Sequence, residues 1–125
     1  MLVKTEVVRL RSLERLRKNP KLIKKIFTKK ELKYALGKRF PDQPLAARLA
    51  AKNAFLAVLG KKNVRSVAPT DIEIINDRYG KPHLNWRGMA RVAAKKLGVC
   101  GSAVSLTHAE NYAAASVFIQ FARPA

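Results

Sequence analysis

The sequence predicts an α+β fold in which an antiparallel sheet packs on one long buried helix. Three observations carry that prediction. Pro44 to Gly60, PLAARLAAKNAFLAVLG, is apolar nearly all round, the mark of a helix enclosed on most sides. Val-, Ile- and Thr-rich runs at Leu2 to Leu10, Asp71 to Ile75, His83 to Trp86, Val104 to Thr107 and Tyr112 to Phe121 read as strands. Between two of these runs, Asn76 to Pro82 (NDRYGKP) supplies the Asn, Asp, Gly and Pro of a turn, which makes a hairpin. Helices mixed with hairpins argue for an antiparallel sheet.

In chain order, LVKTEVVRL is the first strand, with Glu6 its only acid. Ser12 is placed to cap a short helix, LERLRK, which Asn19-Pro20 ends. Lys21 to Phe27 carries Leu22, Ile23, Ile26 and Phe27 at helical spacing. Thr28 and Glu31 form a capping-box pair for a helix running to about Leu36, with Gly37 beyond it. From Arg9 to Lys33 the charged face is almost wholly positive, while Leu13, Leu16, Leu22, Ile23, Ile26, Phe27 and Leu32 turn inward. Lys38 to Gln43 is a loop. Asp42 then caps the central helix, Pro44 suits its first turn and Gly60 closes it. KKNVRSVAPT shows no periodicity and reads as a loop. Arg87 to Leu97 is a helix with Met89, Val92, Ala93 and Leu97 on one side and Gly98 closing it. His108 to Asn111 is the loop between the last two strands.

Composition bounds the function. A length of 125 residues suits one domain, spanning 1–125, with a modest core. Twenty-six basic residues face eight acidic ones, a formal net charge of +18. Residues 1–65 hold 19 Lys/Arg and 4 Asp/Glu, a net of +15, whereas residues 66–125 hold 7 and 4, a net of +3. So basic a first half points to a polyanionic partner: an acidic protein, a nucleic acid or a phosphate-rich ligand. The lone Cys100 excludes a disulfide framework, points to a reducing compartment (cytoplasm or an organelle matrix) and reads as a small buried thiol. No Cys/His cluster suits zinc, and no apolar run reaches the roughly 20 residues needed to span a bilayer.

Candidate binding residues begin on the central helix. Arg48 and Lys52 are four apart, hence on one face, and an unpaired buried charge is costly. Each must snorkel to water, pair with a carboxylate or meet a bound anion. Ser105, Thr107 and His108, in SLTHAENY at the end of a strand, add donors suited to phosphate. Together the two groups can line one anion pocket. A lone His more often has a structural role, and no Gly-rich phosphate loop, nucleophile elbow or metal-binding His pair is present.

These same segments resemble a known family. LAAKNAFLAVLG resembles the F-A-A-K-E-A-F-x-K-A-x-G helix of the holo-acyl-carrier-protein synthases, a branch of the 4′-phosphopantetheinyl transferases. SLTHAENYAAASVF is similar to that family's S-I-S-H-x-x-x-Y-A-x-A-x-V ending, IFTKKEL to its I-L-T-x-x-E-L, and DIEIINDRYGKPHL to its D-I-E-I-x-x-D-x-x-G-K-P-x-L. TEVVRL stands where the family has T-D-I-V-E-I. The resemblance implies the 4′-phosphopantetheinyl transferase fold and transfer of phosphopantetheine from coenzyme A to a serine of an acyl carrier protein. It also implies a homotrimer, with coenzyme A at the cleft between subunits and Mg²⁺ on its pyrophosphate. On this reading Arg48, Lys52, Ser105, Thr107 and His108 bind the coenzyme, Lys52 and Glu6 are catalytic, and Glu6 with Asn53 holds the metal. The basic first helices would meet the acidic carrier.

The chain departs from the pattern at four places. Glu6 replaces an Asp, and Asn53 replaces a metal-ligating Glu, exchanging a carboxylate for a neutral amide where Mg²⁺ takes oxygen ligands. Arg9 replaces a second Glu, which puts a cation beside the expected metal. Gly60-Lys61-Lys62 replaces G-T-G, and the two lysines are candidates to reach the coenzyme's phosphates. These changes leave a second reading open: a lapsed homologue serving as a basic binding module for RNA or a ribonucleoprotein, or for coenzyme A or the carrier alone.

Overall fold

The computed structural model describes residues 1–122, in the order β1 (Leu2–Arg9), α1 (Leu10–Arg17), α2 (Pro20–Ile26), α3 (Lys29–Leu36), α4 (Asp42–Leu59), α5 (Lys61–Val64), β2 (Ile72–Asn76), β3 (Pro82–Trp86), α6 (Gly88–Leu97), β4 (Val99–His108) and β5 (Tyr112–Phe121). A 3-10 turn at Pro69–Asp71 leads into β2. The strands form an antiparallel three-stranded sheet, β1-β5-β4, and a separate two-stranded hairpin, β2-β3. The expected α+β architecture is therefore present, with two sheets in place of one. No helix among the described residues is long and apolar enough to cross a membrane.

α4 is the buried helix expected from its composition. Leu45, Ala46, Ala50, Ala51, Ala54 and Phe55 have no exposure at all. Full burial of a Leu or Phe is worth about 1.5–3 kcal/mol, so this one element supplies much of the core. Its sheet-facing partners are Val8 on β1 and Ala113, Ala115, Val117 and Ile119 on β5. The small Ala side chains on both surfaces let helix and sheet close at the density of a protein interior. Gly60 ends α4 with φ +84°, as the sequence suggested, and its N–H bonds Leu56 O.

Several local expectations are corrected. Asp42 is not the cap of α4: Pro41 takes that position, and the Asp42 carboxylate bonds Arg17 Nε at 2.8 Å, tying α4 to α1. α1 starts at Leu10, before Ser12, because the chain turns directly out of β1 with Leu10 N–H bonded to Asn111 O. One turn of KKNVRSVAPT is helical, as α5. Leu22 is half-exposed. The buried stripe of α6 is Ala90, Ala93 and Ala94, while Met89, Val92 and Leu97 face outward. Cys100 is exposed, so it is not the buried thiol expected. β4 is longer than expected because its pairing with β5 begins at Val99, and a bulge at Val99/Gly101 absorbs the irregularity there.

The capping box is present and does more than end a helix. Thr28 Oγ1 accepts from Glu31 N, and Glu31 Oε1 accepts from Thr28 N at 3.0 Å. Glu31 Oε2 accepts from Ile74 N on β2 at 3.0 Å. The same carboxylate lies 2.8 Å from Lys52 Nζ, and both side chains have zero exposure. Lys52 also donates to Pro69 O at 2.9 Å and to Ile72 O, so all three ammonium donors are used. Burial pushes the Lys52 ammonium below its ordinary value, and the Glu31 charge opposes that shift. β3 is held separately by Trp86 stacked on Phe55 of α4, with ring centroids 5.2 Å apart. Past β3, Gly88 (φ +56°) enters α6 so close to Asp71 that a Cβ would sit 2.8 Å from its Oδ1.

Lys52→Met leaves Glu31 charged, buried and unpaired, a change that typically costs about 3–5 kcal/mol. Denaturant unfolding should show a loss of that size, with part of it recovered in the Lys52→Met/Glu31→Gln double variant. A loss near that of an exposed pair, about 1 kcal/mol or less, would contradict the burial described.

Candidate functional site

Arg48 and Lys52 share a face of α4 but serve different ends. Lys52 reaches into the core, as described above, and is not among the residues lining the cleft beside Arg48. The Lys52 ammonium, expected to contact phosphate, is here enclosed and saturated with acceptors. Of the three routes open to it in the sequence, the structure shows pairing with a carboxylate.

Arg48 is 2% exposed. Its Nη1 donates to Pro44 O one turn back at 3.3 Å, and Nη2 donates to Asn76 Oδ1 at 3.2 Å. The guanidinium carbon stands 4.4 Å from the centroid of the Tyr34 ring, and Tyr34 OH accepts from Asn76 Nδ2 at 2.9 Å. Lys38 Nζ lies 4.7 Å from the same ring centroid. Burial lowers the Arg48 pKa from its ordinary value, and the neighbouring Tyr34 and Glu31 pull against that shift. Its Nε is buried without a partner among the described residues. Leaving such a donor unsatisfied costs about 1–3 kcal/mol, and an anion seated beside it would remove that cost.

The cleft at this point has a volume of about 370 Å³, within the range of small-molecule sites. The α3–α4 connection contributes Lys38, Arg39 and Phe40, α4 contributes Arg48, and the end of β4 contributes Thr107 and His108. No carboxylate lines it among the described residues. Converging cations without an acid give a focused positive potential, which suits phosphate groups. Arg48, Thr107 and His108 are thus brought together as the sequence suggested.

Ser105, Glu6 and Asn53 do not line this cleft. Ser105 and Thr107 pair opposite Ser116 and Ala114, on the sheet face turned away from α4, whereas His108 pairs opposite buried Ala113 on the helix-facing side. Thr107 and His108 alternate faces, as successive strand residues do, yet both border the cleft at the end of β4, whereas Ser105 does not line it. Glu6, opposite Ala115, is half-buried on the helix-facing side. Arg9 alternates with it onto the other face, so the expected cation beside Glu6 is not there. Asn53 is exposed and lines a different groove of about 560 Å³ with Gly60, Lys61 and Arg65. No group of three or more His, Cys, Asp or Glu stands together among the described residues. Glu6 offers one carboxylate and Asn53 one neutral amide, and this donor set does not fit a magnesium ion held by the protein alone.

Tyr34, Lys38, Arg39, Phe40 and Asn76 were not singled out from the sequence as site residues. GKRFP read only as a loop, and Asn76 read as a turn residue. Its basic and aromatic interleaving was the available signal for the first group, and no sequence signal marks Asn76.

Comparison with known proteins bears on this arrangement. The family model described as "4'-phosphopantetheinyl transferase superfamily" matches residues 6–117. The Holo-[acyl-carrier-protein] synthase of Treponema denticola is 39% identical over 116 residues, covering 92% of this chain and 94% of that protein. The apo-ACPS structure from Chronobacterium ammoniagenes superposes with a TM-score of 0.85 at 26% identity, covering 98% of this chain and 97% of that one. The ACPS-CoA complex from the same organism gives 0.82 at 27% identity, covering 97% of each chain.

Proposed function

This chain belongs to the 4′-phosphopantetheinyl transferase superfamily, and from that premise we propose that it moves 4′-phosphopantetheine from coenzyme A to a serine of an acyl carrier protein. The observation that carries the reading is the acid-free cleft in which Arg48, Lys38, Arg39 and His108 converge, in a chain whose relative was solved with CoA. Coenzyme A is rich in phosphate, and Arg48 lines the cleft as a cation whose hydrogen bonds go to neutral oxygens and not to a carboxylate.

In the reaction the carrier serine's oxygen forms a bond to the phosphorus that bears pantetheine. The bond from that phosphorus to the bridging pyrophosphate oxygen breaks, and adenosine 3′,5′-bisphosphate leaves. Cations fixed around the phosphates stabilise the charge that develops on the leaving oxygens. Glu6 is the one carboxylate carried by the three-stranded sheet and is our candidate acceptor for the serine proton. Lys52 acts here as a framework residue. The exposed cations of α1 to α3, among them Arg15, Lys18, Lys25 and Lys33, are assigned to steering the acidic carrier protein. The alternative of a lapsed, RNA-binding module is not favoured, because the cleft is of small-molecule size and the similar proteins are synthases.

We also assign the outer face of β1-β5-β4 to a homotrimer. Val3, Val7 and Tyr112 are 47%, 59% and 47% exposed there, a row of large apolar groups on the sheet face opposite α4.

One assay tests the transfer. Incubated with apo carrier protein and coenzyme A, the chain should produce the holo form. Arg48→Gln should raise the KM for coenzyme A, and Glu6→Gln should lower kcat with that KM kept. Added salt should raise the KM for the carrier. Absence of holo carrier at any substrate or divalent-cation concentration would sink the proposal. For assembly, sedimentation should give a trimer for the natural chain and a smaller species for Val7→Glu; a natural chain that sediments as a monomer would remove the trimer.

A further inference from the structure

Arg48 is held by two residues from other elements. Asn76 sits at the last position of β2 and Tyr34 on the second turn of α3. Asn76 uses its two amide ends differently: Oδ1 accepts from Arg48 Nη2, and Nδ2 donates to Tyr34 OH. An amide side chain can be turned either way, and with Nδ2 facing Arg48 it would present a donor to a donor. Arg48, a donor only, selects the orientation that gives it an oxygen, and the Tyr34 hydroxyl, which can accept or donate, takes the bond from Nδ2 and anchors the amide there. The Tyr34 ring stacks on the guanidinium at the same time.

Both supports are tied to the buried carboxylate. Glu31 lies three residues before Tyr34 on α3, and Ile74, whose N–H bonds Glu31, lies two before Asn76 on the same face of β2. Lys52, four residues after Arg48, completes the link to α4. Glu31 thus fixes the positions of α3 and β2 against the helix that carries Arg48.

We propose that Tyr34 and Asn76 are positioning residues for Arg48: the Tyr34 hydroxyl anchors the Asn76 amide, and the amide with the ring holds the guanidinium at the cleft wall for a ligand phosphate. The ligand part rests on the coenzyme A reading above; the positioning part does not. A merely structural Tyr34, one that only covers Arg48, would tolerate loss of its hydroxyl, since the ring remains.

The first test uses the ligand-free protein. In ¹⁵N NMR spectra the Arg48 Nε–H, assigned with Arg48→Gln, should give a resolved and slowly exchanging resonance. Tyr34→Phe and Asn76→Ala should each move it into the fast-exchanging arginine pool. A resonance unchanged in both variants would overturn the positioning role, whatever the ligand. The second test is a coenzyme A titration by calorimetry. Tyr34→Phe should weaken binding about three- to tenfold, the worth of one net hydrogen bond, and should have no further effect in the Arg48→Gln background. An equal loss in both backgrounds would show that Tyr34 does not act through Arg48. Arg48→Gln with unchanged affinity would instead sink the coenzyme A reading of Arg48, while the resonance still decides the positioning.

Discussion

A single buried ion pair sets the arrangement of the rest. Removing both Glu31 and Lys52 from water is expensive, several kcal/mol for each ion. Their attraction offsets that cost only because every remaining valence is satisfied: Thr28 N and Ile74 N on the carboxylate, Pro69 O and Ile72 O on the ammonium. The pair therefore demands one placement of α3, α4 and β2 and penalises any other. The β2-β3 hairpin needs such a demand, because two strands alone are marginal in water and these pair with no other strand. Trp86 on Phe55 supplies a second attachment, but an apolar stack tolerates sliding in a way a saturated ion pair does not.

That constraint also divides the labour between two cations the sequence could not tell apart. Arg48 and Lys52 are one turn apart on one face, and each is buried. Lys52 faces a carboxylate presented by α3 and so becomes framework. Arg48 faces Tyr34 and Asn76, both neutral, so its charge stays available to an anion in the cleft. A phosphate site built this way is preorganised, since the guanidinium is already desolvated and held before the ligand arrives.

Features set by local chemistry were legible in the sequence. The all-round apolar run gave α4, Thr28 and Glu31 gave the start of α3, and NDRYGKP gave the hairpin, whose turn is closed by Asp77 Oδ1 accepting from Tyr79 N and Lys81 N. Features set at a distance were not. Glu31 and Lys52 are far apart in sequence, and nothing local announces that a capping residue also pairs with the middle of the next helix. On α6 the large apolar residues Met89, Val92 and Leu97 share a side with Ala93 in sequence spacing, whereas the buried residues are the small Ala90, Ala93 and Ala94. Of Ser105, Thr107 and His108, the last two line the cleft, and the three do not share one face. Adjacent strand residues point to opposite faces, and one position of offset separates His108 from the others. Arg48, on the second turn of α4, and His108, at the last position of β4, line one cleft together with the α3–α4 connection.

The account depends most on the claim that Glu31 binds the hairpin to the helical layer as one cooperative unit. Native-state hydrogen exchange at the Ile74 amide reads this directly, because its acceptor is the Glu31 carboxylate. The amide should exchange only through global unfolding, with the same free energy as the central α4 amides, and should fall to a lower, local opening energy in Lys52→Met. An Ile74 amide that exchanges in the natural chain as fast as the Tyr79 turn amide would mean the hairpin opens on its own, and the ion pair would not be what holds the cleft.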